Sequence, residues 1–222
     1  MAEVDRIASE DLGIALELLM ENASRQIAAA ARAFLGGVAG KRIVALVGTG
    51  NNGGDALGAL RHLASWGANV GVVLSRPAER LRPLARRQHD ILERLDLLRD
   101  KVAIEDADLL LDGLLGYSVT GPPRDAVAEA IRAANASRLP ILAVDLPSGL
   151  DPDTGEPLGV TIRAALTVTL ALPKRGLIET RSRALVGDLL LADIGIPPQA
   201  FDRLAIETRG LFESGDLVRI IR

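Results

Sequence analysis

Two carboxylates in this sequence stand at the ends of apolar runs. Leu109 to Leu111 ends on Asp112, and Ile141 to Val144 ends on Asp145, three residues before Ser148. A third run, Ile43 to Val47, ends in a turn rich in glycine and asparagine that carries Asn51, Asn52 and Asp55. A carboxylate at the end of a buried strand is costly unless it is hydrogen-bonded or meets a cation. Such a position suits proton transfer or the binding of a hard cation. If the three runs are parallel strands, Asn51, Asn52, Asp55, Asp112, Asp145 and Ser148 emerge together at one edge of the sheet. Open doubly wound sheets bind their ligands at that edge.

The elements that must position these residues begin with Arg42 to Trp66. Ile43 to Val47 is short and β-branched, as a strand buried on both faces should be. Six of the next seven residues are Gly or Asn, types that tolerate a sharp turn. From Asp55, which is placed to cap a first turn, Leu57, Leu60, Leu63 and Ala64 recur at helical spacing. Gly48, Gly50 and Gly53 fit the G-x-G-x-x-G pattern of dinucleotide sites, but the acid expected about 20 residues on is missing. The second strand, Val70 to Leu74, ends instead in Ser75 and Arg76. Asp55 also puts a negative charge where a pyrophosphate would sit. An NADP-dependent oxidoreductase using Arg76 for a 2′-phosphate therefore has no support beyond the glycine turn, whose plain alternative is a tight strand-to-helix connection.

The remaining chain alternates in the same way. Residues 7 to 35 read as one helix with an apolar stripe, stopped by Gly36 and Gly37. Leu84 to Leu98 reads as a helix whose alternating charges form a solvated face, and a short strand is expected at Val102 to Ile104. Gly116 to Pro123 is a loop holding Tyr117, the chain's one tyrosine, which is able to stack on a planar ring or to cover the sheet edge. Helix resumes near Asp125. Asp151 to Gly159 is turn chemistry, strands follow at Leu166 to Leu170 and Leu189 to Leu191, and Lys174 between them reads as a solvated lysine or a phosphate contact. A final helix is expected near Asp216 to Ile221. The pattern is that of an α/β protein with a mostly parallel sheet.

Composition narrows the function. The 222 residues are 48% hydrophobic and 25% charged, enough for one domain with a substantial core. We find no internal repeat or linker. A net charge of −3 offers no bulk attraction to nucleic acid or to an anionic membrane. The absence of cysteine removes disulfides, thiolate catalysis and zinc–thiolate sites, and only two histidines are present, which argues against a histidine metal cage. No apolar run approaches the length of a spanning helix, and Asp5, Arg6, Glu10 and Asp11 stand where a signal peptide would be apolar. The default compartment is the cytoplasm.

Four stretches together carry a family resemblance: L-L-M-E-N-A at 18 to 23, G-T-G-N-N-G-G-D at 48 to 55, D-G-L-L-G-Y-S-V-T-G-P-P-R at 112 to 124 and V-D-L-P-S-G-L-D-P-D-T-G at 144 to 155. They resemble the YjeF N-terminal domain, the NAD(P)H-hydrate epimerase family, from the first helix to about Pro197. The resemblance implies a three-layer αβα sandwich of Rossmann-like form that interconverts the S and R epimers of hydrated NADH and NADPH. It also implies a bound potassium ion and commonly a dimer. Carried over by position, substrate loops fall on Asn51, Asn52, Gly53, Gly54 and Asp55, and on Gly116, Tyr117, Ser118, Val119, Thr120, Gly121 and Pro122. The essential acid falls on Asp145, also a substrate contact, and the potassium ligands fall on Asn52, Asp112 and Ser148. Ser24 and Ala56 depart from the family's usual glycines, which bears on helix packing and not on the site.

Many relatives carry a second domain that dehydrates the S epimer. This chain has no room for it, so the expectation is a stand-alone epimerase served by a separate dehydratase, or one piece of a bifunctional protein. Binding modules of messenger-RNA decapping complexes share the fold and are the competing class. Against them stand the retained polar cluster and the scarcity of aromatic side chains for base stacking, one Trp, one Tyr and three Phe. The chemistry expected at Asp145 is general acid and base work at the hydroxyl-bearing carbon. One carboxylate with neutral oxygens suits potassium better than calcium or magnesium at Asn52, Asp112 and Ser148. The stripe between Leu12 and Phe34 is expected to bury its excess in a homodimer.

Overall fold

The computed structural model describes residues 1–98, 103–118 and 121–221. Strands β1 (Arg42–Val47), β2 (Asn69–Leu74), β3 (Leu109–Gly113), β4 (Ile141–Val144), β5 (Leu166–Leu170), β6 (Asp188–Ala192) and β7 (Leu217–Arg219) form one sheet in the order β2-β1-β3-β4-β5-β6-β7. The first six run parallel, and only β7 is antiparallel to its neighbour.

Alternation along the strands divides the core into two layers. Ile43, Ala45, Val47, Leu109, Leu111, Leu142 and Val144 face α2 (Leu16–Phe34), α3 (Asn51–Ser65) and α4 (Pro83–Arg94). Val44, Leu46, Leu110, Ile141 and Ala143 face α5 (Asp125–Ser137) through Ile131 and Ala134. The short helices α6 (Arg175–Ile178) and α7 (Arg183–Val186) close a smaller cluster through Leu177 and Val186. This is the αβα sandwich the sequence implied. A short N-terminal helix, α1 (Ala2–Arg6), and α8 (Pro198–Asp202) add Val4 and Phe201 to the first layer.

Several boundaries differ from the sequence reading. The expected helix over 7 to 35 is broken: a π-helical turn at Ile7–Asp11 ends before Gly13, whose φ of 74° turns the chain, and α2 starts only at Leu16. Helix α3 begins at Asn51 with Gly50 as its cap, so Asp55 lies a turn inside the helix and caps nothing. The glycines there do not serve positive φ. A side chain at Gly54 would meet Met20 Cε at 2.6 Å, so close packing of α2 on α3 is what they permit. Helix α4 stops at Arg94 rather than Leu98. Ile104–Asp106 is a 3₁₀ turn where a strand was expected, and Val102 lies outside the described residues. The expected C-terminal helix is strand β7, whose three residues pair with β6. Too few residues stand there to show either period.

Candidate functional site

Sheet order reverses between β1 and β3, since β2 lies to one side of β1 and β3, β4 and β5 to the other. Such a switch point leaves a crevice beyond the carboxyl ends of the strands. Here it is a cavity of about 320 Å³ walled by the turn after β1, the loop after β3, residues from α1 and α2, Asp145 just after β4, and the segment after β5.

Asp112 is completely buried at the end of β3. Its Oδ2 accepts the Ser148 N–H at 2.8 Å, and its Oδ1 accepts the Ser148 Oγ–H at 2.6 Å and the Leu114 N–H at 3.3 Å. The Leu115 N–H donates to Ser148 Oγ at 2.9 Å, while the Leu115 carbonyl accepts from Asn52 Nδ2 at 2.9 Å. Asn52, Asp112 and Ser148 are thus tied into one network through the backbone of Leu115. Burial pushes the Asp112 carboxyl up to about 6, against the lowering effect of these hydrogen bonds.

The donor set fits a monovalent cation. Asp112 has no basic side chain beside it among the described residues, so it lacks the counter-charge a buried carboxylate needs. The oxygens around it are neutral: the Ser148 hydroxyl, the Asn52 amide and the Leu115 carbonyl. One carboxylate among neutral oxygens matches an ion of single charge. The network sits behind the cavity wall, which Leu114, Leu115 and Gly116 form.

Asp145 is reached differently. It follows β4 in the left-handed backbone region, φ 68°, and its N–H is held by the Val168 carbonyl at 2.8 Å. A non-glycine residue in that conformation costs on the order of 1–3 kcal/mol and is characteristic of sites that aim a side chain. Its Oδ1 accepts the Leu170 N–H at 3.1 Å and forms an ion pair with Lys174 Nζ. Lys174 is buried, donates also to Thr169 Oγ1 at 3.2 Å and to the Leu170 carbonyl at 3.1 Å, and lies 5.9 Å from the centre of the Tyr117 ring. The reading of Lys174 as a solvated lysine or a phosphate contact is therefore corrected. A turn after β5, with Ala171 at φ 63°, folds it back over the strand end.

Beside this pair, the Tyr117 hydroxyl donates to Asp5 Oδ2 at 2.7 Å. Burial raises the Asp5 carboxyl, and it raises the Tyr117 phenol, which the Asp5 hydrogen bond raises further. Tyr117 packs against the cluster of Leu146, Leu150 and Leu177 while its hydroxyl is held by Asp5. Asp55 faces the same space from α3, and burial, with Asp145 and Asp5 nearby, raises its carboxyl well above the usual range.

Of the positions expected to touch substrate, Asn51, Asn52, Asp55, Gly116, Tyr117, Ser118 and Asp145 line the cavity. Gly53 and Gly54 do not: their Cα atoms turn inward, toward the Gly48 carbonyl and Met20. Gly121 and Pro122 are also absent from the wall, because the loop has by then left the strand end; Pro122 faces Gly159. Val119 and Thr120 lie outside the described residues. Sequence reasoning missed Lys174 and Asp5 as site residues. Lys174 carried a signal, since it follows the end of an apolar run as Asp112 and Asp145 end theirs. Asp5 carried none.

A doubly wound αβα protein with a ligand-sized cavity at its switch point, walled by polar residues from several strand ends, belongs to the class that binds small molecules and nucleotides there. This chain belongs to the family described as YjeF-related protein N-terminus, whose pattern matches residues 16–176. It is 40% identical to a protein of Dehalogenimonas lykanthroporepellens named NAD(P)H-hydrate epimerase, over 99% of this chain and 90% of that one. A protein of the same name from Cenarchaeum symbiosum is 39% identical over 85% of this chain and 90% of its own. The bifunctional NAD(P)H-hydrate repair enzyme Nnr of Moorella thermoacetica is 40% identical, and the match spans 39% of its length. The crystal structure of yeast ynu0 superposes with a TM-score of 0.85 at 24% identity, covering 99% of this chain and 96% of that one, which shows the same fold. Among the described residues no helix is long and apolar enough to cross a membrane.

Proposed function

We propose that the protein is an NAD(P)H-hydrate epimerase that interconverts the S and R forms of hydrated NADH and NADPH. The observation that carries this reading is Asp145, held by Lys174 and by a left-handed backbone so that its second oxygen, Oδ2, has no partner among the described residues and is free for substrate. The names of the full-length relatives support the substrate class.

Hydrated nicotinamide bears a hydroxyl on the carbon beside the ring nitrogen. Its configuration inverts if that C–O bond breaks, with the nitrogen lone pair stabilising the carbon, and re-forms from the other face. Asp145 exchanges protons at this oxygen. Asn51, Asn52, Gly116, Tyr117 and Ser118 hold the nucleotide, and Leu114, Leu115 and Val127 keep bulk water from the ring. Asn52, Asp112 and Ser148 would hold a potassium ion, which when bound supplies a fixed positive charge behind the cavity wall. A buried aspartate–lysine pair facing a cavity, with an oxygen left for a ligand, favours the enzyme over a scaffold or RNA-processing module.

The proposal includes a cytoplasmic location, a separate dehydratase acting on the S form, and a homodimer. For the dimer, much of the α2 stripe is already covered: Leu19, Met20, Ala23, Ile27, Ala30 and Ala31 are buried within the chain, leaving Leu16, Leu18 and Phe34 exposed. A particle of 23.4 kDa by light scattering at high micromolar concentration would overturn it. Epimerisation is tested by starting from each purified epimer and following both by chromatography. Convergence on one mixture is expected, and persistence of each pure epimer would overturn the reading.

A further inference from the structure

Asp55 is a buried acid of the cavity to which the reaction above gives no part. The residue is 8% exposed and lines the cavity, and no hydrogen bond to its carboxyl is found among the described residues. Its backbone is fixed: the Asp55 carbonyl accepts from the buried Ser24 hydroxyl at 3.1 Å, which locks this turn of α3 to α2. A rigid, buried and unpartnered acid aimed into a cavity carries a desolvation cost that packing alone would not retain. The charged groups that act on it are Asp145, Asp5 and Lys174. Lys174 is already engaged by Asp145, so the balance of charge around Asp55 is negative. Burial and these two carboxylates favour its neutral, proton-bearing form.

Asp145 stands in contrast. Its Oδ1 is held by Lys174 and the Leu170 N–H, while Oδ2 is left to face the substrate. Two carboxyl groups in one cavity, one ion-paired with a lysine and the other buried without a partner, are a means of dividing acid from base work. Resting on the epimerase reading of this cavity, we infer that Asp55 is a second catalytic residue, the general acid that protonates the departing hydroxyl, while Asp145 is the base that receives the proton of the incoming water. In the first step the Asp55 O–H gives its proton to the hydroxyl oxygen, the C–O bond breaks, and the ring nitrogen lone pair forms a C=N bond as water leaves. Water then adds to the opposite face, its oxygen bonding to carbon and its proton passing to Asp145. Transfer of that proton to Asp55 through water resets the site. No electrons enter or leave, and the water released balances the water added.

The test compares the parent with Asp55→Asn, which keeps the shape of a neutral acid and removes its proton. We expect kcat for epimerisation to fall by about 10²–10⁴-fold, with KM little changed. Incorporation of ¹⁸O from labelled water into the substrate hydroxyl should slow by the same factor. The infrared spectrum of the parent should show a protonated-carboxyl C=O stretch that the variant lacks, a readout independent of turnover. Should Asn not be accommodated, Asp55→Ser serves the same comparison. An Asp55 variant that epimerises at the parent's rate, or one that changes KM alone, would overturn the assignment. A parent that does not epimerise at all would instead overturn the proposed function, whatever its Asp55 band shows.

Discussion

Lys174 Nζ and Asp145 Oδ1 form an ion pair closed to solvent from both sides, each side chain only 6% exposed. Removing one partner of such a pair leaves an uncompensated buried charge, which typically costs about 3–5 kcal/mol. Lys174→Met should therefore lower the urea midpoint markedly, and epimerisation should fall as Asp145 loses the group that positions it. Asp145→Asn combined with Lys174→Met should recover much of the stability and none of the activity. Equilibrium unfolding of the parent and the two variants checks this, and a double variant no more stable than the Lys174 single would count against it.

The Asp112 network should respond to monovalent cations. A ligand that binds only the folded state at 100 times its Kd stabilises by about 2.7 kcal/mol. Potassium should raise the melting temperature of the parent relative to a bulky organic cation at equal ionic strength. Asp112→Asn should abolish the difference, because it removes the one carboxylate of the donor set. Melting curves in the two salts decide, and equal midpoints for the parent would contradict a cation site.

Packing between α3 and β3 leaves no room for a side chain at Gly113. A Cβ there would meet Ala56 Cβ at 2.6 Å and the Asn52 carbonyl at 3.0 Å. Gly113→Ala should cost about 1–3 kcal/mol of stability by overpacking and should displace Asn52 from Leu115. Urea denaturation gives the first quantity. A variant as stable as the parent would mean that the helix start yields readily.

His62 makes a pH-dependent contribution. Burial and the neighbouring Arg61 lower its pKa below the usual 6.5, although Glu21 Oε1 lies 3.0 Å from Nε2. Because the unfolded imidazole takes up its proton first, its contribution is complete above pH 6.5 and is lost as pH falls from there through the lower folded value. The raised Asp5 has the opposite sign, since it favours the folded state less as pH rises above 3.8. Comparing the parent with His62→Gln at pH 7.5 and 5 isolates the histidine: the variant should lose less stability on acidification.

The sheet and three of its polar strand ends were legible because parallel strands buried on both faces appear as unbroken apolar runs, and each run's final polar residue stands out. Asp112, Ser148 and Asn52 were grouped by that logic, and the structure ties them through Leu115. Asp5 was illegible because its partner Tyr117 is 112 positions away, a separation no local period encodes. Lys174 was misread because a lysine after a strand is ordinarily solvated; only the turn at Ala171, with its positive φ, buries it. Asp55 reads as a helix cap in the sequence because glycines ordinarily end a turn, whereas here they lie inside α3 and open it to close packing on Met20 and Gly48.

The most direct measurement is the rate at which the purified R epimer of hydrated NADPH becomes the S epimer, followed by chromatography with the parent and with Asp145→Asn. We expect the parent to reach the equilibrium mixture and Asp145→Asn to be slower by about 10²–10⁴-fold while still folding and binding NADP. An Asp145→Asn variant as fast as the parent would remove Asp145 from the chemistry, and a parent no faster than buffer would contradict the assignment of an epimerase.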